Sequence, residues 1–208
     1  MSEKVTEKNF DIKESCMTCL NGLKNIFIKP VEAIKDFVAD DNFISGIIMI
    51  VVAAITAGIY KLATLKRAYD MVNSVWLKAK PEYLKEFFTT FGVHILEYAL
   101  IVALGYLIVS KIFTGKTTFK QMISTVGISL SLVIIANLIN SILVFIDAEA
   151  ISYIIKYLSR FAMIYSYLII YFAIKEIGKI DENKLFLSVA SMTVCATVTI
   201  DILNKLFN

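Results

Sequence analysis

The sequence has little of what soluble enzymes use. His94 stands alone as the one histidine. Glu97, three residues on, could share a metal with it, but a site needs three or four ligands, which excludes a metal-dependent membrane hydrolase. Of three cysteines, Cys16 and Cys19 lie in a polar stretch and Cys195 in an apolar run. An odd number so placed builds no disulfide framework. Cys16 and Cys19 have zinc-ribbon spacing, yet without a second pair they make half a structural zinc site. No cofactor is expected. With only two prolines, no pair of Gly/Pro-broken apolar segments marks a transport site. Charge is scarce too: 19% of residues are charged, against ~25% in soluble domains. The net charge of +3 is not gathered into a basic stripe, which excludes nucleic acid as a partner. No cleavable signal peptide is visible, since the first apolar run begins at Phe43, after a mixed-charge segment.

What is present is long apolar runs. The chain is 58% hydrophobic, against about 45–50% in soluble proteins. Phe43 to Tyr60 carries no charge and extends to Leu65 if Lys61 snorkels. Met122 to Ile146 has no ionisable group. Three further runs hold a few charges: 91–110 with His94 and Glu97, 151–174 with Lys156 and Arg160, and 185–203 with Asp201. About 20 helical residues cross the ~30 Å hydrocarbon core. The runs lack period-two alternation, so helices rather than barrel strands are expected. The expected fold is all-α: a polytopic bundle of about five transmembrane helices over 43–205. Its spans are 43–65, 91–110, 122–146, 151–174 and 185–203, behind a short polar segment, 1–42. In that segment Pro30 suits a first helical turn, and Val31, Ile34 and Val38 recur at helical spacing. The spacing predicts a helix near 30–39, either lying on the membrane surface or leading into the first span. Trp76, Tyr69 and Tyr83 suit an interface, and Pro81 could open a helix into span two. Ala54 and Gly58, and Gly127 and Ser131, would let helices approach closely.

An odd number of spans puts the termini on opposite sides. A slight excess of Lys and Arg beside the N-terminal face favours a multi-pass cell-membrane protein with a cytosolic N-terminus. The alternation also places His94, Glu97, Asn137, Asn140, Lys156, Arg160 and Asp201 toward one leaflet. Charges within spans face partners or water. Glu97 is therefore expected to pair with Arg160 or Lys156, which share one face of span four.

Gly115-Lys116-Thr117 is like the end of a phosphate-binding loop. However, Ser110 stands where that motif needs glycine, and a membrane helix precedes it in place of a strand, so nucleotide binding is rejected. The stretch Lys111-Ile-Phe-Thr-Gly-Lys-Thr-Thr-Phe-Lys-Gln121 instead resembles the Yip domain. In that family a short Gly-x-x-Ser/Thr-Phe-Lys/Arg-Gln loop (here Gly115, Thr118, Phe119, Lys120, Gln121) separates spans two and three. Ile26-Phe-Ile-Lys-Pro30-Val-Glu-Ala-Ile34 resembles the family's lead-in, and the five spans and polar tail agree. Many members have proline early in span three, where this chain runs Val126-Gly-Ile-Ser-Leu130. The resemblance implies a role by association: eukaryotic members act in vesicle traffic and bind small GTPases and related membrane proteins. Some bacterial members, which this chain is more like, carry N-terminal zinc ribbons, of which Cys16 and Cys19 would be a remnant. No catalytic residues carry over.

Two functions follow as expectations. One is a non-enzymatic scaffold or organiser in the lipid bilayer, which associates with other membrane proteins or with itself through the N-terminal segment and the Lys111–Gln121 loop. The alternative is a small transporter or permeability factor using Glu97, Lys156 and Arg160.

Overall fold

The computed structural model describes residues 12–39, 43–73 and 82–207. Trp76 and Pro81 lie outside the described residues, as does the start of the polar segment. Among the described residues every regular element is helical. Helix α1 (Ile12–Ile28) and α2 (Pro30–Ala39) precede the long apolar α3 (Phe43–Asn73). Then come α4 (Tyr83–Tyr106), α5 (Phe119–Ser129), α6 (Ser131–Leu143), α7 (Glu149–Gly178) and α8 (Glu182–Phe207). Five stretches are long and apolar enough to span a membrane: Phe43–Met71, Tyr83–Ile112, Phe119–Leu143, Glu149–Gly178 and Glu182–Phe207. The shortest, at 25 residues, is roughly 37 Å long at 1.5 Å per residue, more than the hydrocarbon core requires.

The helices run past the apolar stretches because their polar ends find partners. Helix α4 begins well before Phe91, where Phe87 lies on Gly58 of α3 and Glu86 faces Lys61 at 4.0 Å. The third span stops at Leu143, short of Ile146. There Arg67 donates to the Val144 carbonyl at 2.7 Å and meets Asp147 at 2.9 Å, drawing the chain out of the helix.

Helix α3 packs against α4, α5 and α6. Its inward face is Met49, Ala53, Ala54 and Ala57, while Ile47, Ile55 and Ile59 are exposed. Lipid is as apolar as those side chains, so what draws spans together is close approach at small residues. The closest is Gly46 against Gly127. A Cβ on Gly127 would stand 2.6 Å from Gly46 Cα, and one on Gly46 would stand 2.8 Å from the Ile123 carbonyl oxygen.

Two departures from helical regularity position the site. Span two ends in a π-helical turn, Leu107–Ile112, where Phe113 N–H reaches the Ile108 carbonyl at 3.0 Å. Span three breaks at Leu130, whose N–H bonds back to the Gly127 carbonyl at 3.2 Å. The Ser129 and Ser131 hydroxyls donate to the carbonyls of Val126 and Ile128 at 2.7 and 2.6 Å, a back-bonding that bends helices. Ser166 of α7 donates to the Ser129 carbonyl at 2.5 Å.

The N-terminal helices form a hairpin turning at Lys29. Ser15, Cys19, Gly22 and Ile26 make the buried face of α1. Cys19 Sγ donates to the Ser45 carbonyl at 3.3 Å, and Tyr165 of α7 donates to the Ile26 carbonyl at 2.9 Å. The helix expected near 30–39 is α2. Ala33, Ile34, Phe37 and Val38 are buried, and α2 packs on α5 and α7. Its apolar face is thus spent on protein, and Val31, expected on that face, is 48% exposed.

Candidate functional site: an intramembrane cavity and a fixed loop

A cavity of about 250 Å³ lies among spans two to five. His94, Glu97 and Asn137 line it, with Ser159, Ser166 and Thr193. Most of the rest of the wall is apolar, including Ile101, Val133, Met192 and Ala196. The Leu130 break contributes directly: Ser129 and Leu130 stand in the wall. The cavity reaches the outer face of the bundle at Met163, which lines it and is 48% exposed.

Glu97 does not meet Arg160 or Lys156. Its carboxylate lies 3.0 Å from His94 Nδ1, one turn back on its own helix, and it is buried. Lys156 and Arg160 are exposed on α7 and, among the described residues, are in no ion pair with a carboxylate. The reason is rotational: the face of α7 turned to span three carries Ser159, Ala162 and Ser166, leaving both cations at the rim. Asp201 is also exposed, although its neighbour Ile200 lines the cavity. Asn140 is fully buried one turn from Asn137. Its Nδ2 donates to Ser159 Oγ at 2.9 Å, while its Oδ1 has no hydrogen-bond partner among the described residues. The polar cluster thus divides into an inward set (His94, Glu97, Asn137, Asn140) and an outward one (Lys156, Arg160, Asp201).

The loop between spans two and three explains its own sequence. Thr118 caps α5 reciprocally with Gln121: Gln121 N–H donates to Thr118 Oγ1 at 3.2 Å, and Thr118 N–H donates to Gln121 Oε1 at 3.0 Å. Gly115 N–H satisfies the Val109 carbonyl at 2.8 Å, and a Cβ there would stand 3.0 Å from that oxygen. Lys116 N–H donates to the Gly178 carbonyl at the end of α7 at 3.0 Å, and Ser110 Oγ to the Thr117 carbonyl at 2.7 Å. Phe119 packs edge-on to Tyr106, and Lys120 sits over the Phe43 ring at 5.2 Å. Thr114 is held at φ 57°, uncommon for a β-branched residue.

These features coincide with a family match, as the Yip1 domain matches residues 24–201. The chain belongs to the Yip1 domain family. The match takes in α2, the first four long apolar helices, the fifth as far as residue 201, and the loop, but not Cys16 and Cys19. No curated protein and no solved structure matches the chain. Cys19 is buried against Ser45, and Cys16, three residues earlier on the same helix, is exposed. Among the described residues no group of three or more His, Cys, Asp or Glu is placed to hold a metal.

Proposed function

We propose that this Yip1-family membrane protein is non-enzymatic and acts by association, as a scaffold or organiser. The contact surface is the end of the bundle that carries the N-terminal hairpin and the 113–118 loop. The observation that carries the reading is the bonding of that loop, whose backbone is tied to spans two and four by Gly115 and Lys116. Lys111, Lys116 and Lys120 are exposed on this fixed frame. A preorganised basic surface loses little side-chain and backbone freedom on docking, and it favours an acidic partner surface. With a cytosolic N-terminus, this surface faces the cytosol.

The test is purification in mild detergent, comparing the natural protein with a Lys111→Glu, Lys116→Glu, Lys120→Glu variant. A stoichiometric partner, or a second copy, is expected with the first and lost with the second. A variant that keeps every partner contradicts the assignment of the surface. The transporter alternative needs Glu97, Lys156 and Arg160 along one path, whereas Glu97 lines the cavity and bonds to His94, and neither cation is among the lining residues. Solute flux in liposomes, abolished by Glu97→Gln, would overturn the association reading.

A further inference from the structure

Among the described residues Lys156 and Arg160 form no ion pair, yet they head a continuous stripe. Lys156, Arg160, Met163, Tyr167 and Ile170 follow at spacings of four, three, four and three. Their directions therefore fall within roughly 40° of that of Lys156 at 100° per residue. The first two are exposed cations. The last three line the cavity, from the exposed Met163 to the buried Ile170. One strip of α7 thus leads from positive charge at the outer face, through an opening, into a mostly apolar interior. Asn137 and Ser159, near the cation end of the cavity, add hydrogen-bonding groups to its wall.

We propose that this strip is a phospholipid site: Lys156 and Arg160 hold the phosphodiester, and one acyl chain enters past Met163 into the cavity. Charge and shape both argue for this occupant. Two cations four residues apart on a helix suit one phosphate, and Arg offers it paired donors. Long basic side chains within a span reach toward headgroups, so the anionic group is one the bilayer itself supplies. An apolar cavity of about 150 Å³ admits benzene, so the ~250 Å³ here takes a longer stretch of hydrocarbon. The site lies in the leaflet on the C-terminal side, away from the proposed contact surface, and it does not depend on that reading.

The experiment uses the full-length protein in phosphatidylcholine vesicles. These contain a trace of phosphatidylcholine with a photoreactive diazirine midway along one chain or, in parallel, diacylglycerol with the same chain. Labelled positions are read by mass spectrometry. The phospholipid probe is expected to label cavity residues such as Ile170 and Ala196 above the lipid-facing Phe172 and Leu187, with diacylglycerol labelling them weakly. Lys156→Gln with Arg160→Gln should reduce cavity labelling by the phospholipid probe about tenfold, the order expected when charge-assisted bonds to phosphate are lost. Met163→Trp, which narrows the opening, should reduce it without touching the cations, and serves if the double variant fails to fold. Equal cavity labelling by the two probes overturns the proposal, as does labelling spread evenly over the lipid-facing surface or unchanged in the folded variants.

Discussion

The residues that matter most to the packing are the ones with least side chain. At the Gly46–Gly127 crossing backbone meets backbone, so an added methyl has nothing flexible to displace. Gly127→Ala should cost about 1–3 kcal/mol, the usual penalty of overpacking, read as a lower unfolding midpoint in mixed detergent micelles. Gly92→Ala is the matched control, since none of the described residues comes within 4 Å of a Cβ there. It should be neutral, or stabilising by up to about 1 kcal/mol. Equal losses in both would mean that the crossing is not where the structure puts it. Sequence alone marked Gly127 as a small residue, but its partner Gly46 was invisible, because spacing along one helix says nothing of what faces it. The same limit misdirected Glu97, which shares a depth with Arg160 but bonds to His94 within its own helix. Burial has a readable chemical consequence at Cys19, where it pushes the thiol from 9.0 up to about 11. At pH 8 Cys19 should hold about a hundredfold less thiolate than an ordinary thiol, and its alkylation should rise roughly tenfold per pH unit toward 11. The raised value favours the neutral thiol when α1 is docked. That contribution is complete below pH 9 and is lost as the pH rises through 11. In a Cys16→Ser, Cys195→Ser background, ordinary reactivity at Cys19 would show that α1 is not packed on α3.

At the scale of the helix, existence was legible and interruption was not. Uncharged runs announced the spans, and the lead-in at Pro30 announced α2. The break at Leu130 carries neither glycine nor proline at its centre. It is made by Ser129 and Ser131, whose hydroxyls bend back onto the helix, and it is completed by Ser166 from a distant part of the chain. Serines in an apolar run were the available signal, but a single helix does not reveal which carbonyl a third helix will supply with a donor. Ser166→Ala removes that donor and leaves the Ser129 carbonyl unpaired within the bundle. It should cost about 0.5–1.5 kcal/mol in the same unfolding measurement, and a variant as stable as the natural protein would argue against the bond. The loop was better encoded. Thr118 and Gln121 read as a capping box once their helix is seen, so the short motif shared with the family has a physical reading as a helix start.

For the whole molecule, the hydrophobic runs dictated the class because peptide groups in lipid must be satisfied within helices or closed barrels. They could not show the cavity, which belongs to four spans at once, nor that the N-terminal hairpin rests its apolar face on the bundle. Five spans place successive loops on alternate sides, and both the association surface and the lipid site depend on that alternation. The most direct test places single cysteines at Lys116 and at Glu149, in a chain otherwise free of cysteine, and applies a membrane-impermeant maleimide to intact cells and to opened membranes. The account predicts that Glu149→Cys labels in intact cells, and that Lys116→Cys labels only once the membrane is opened. Labelling of both positions from the same side would contradict it.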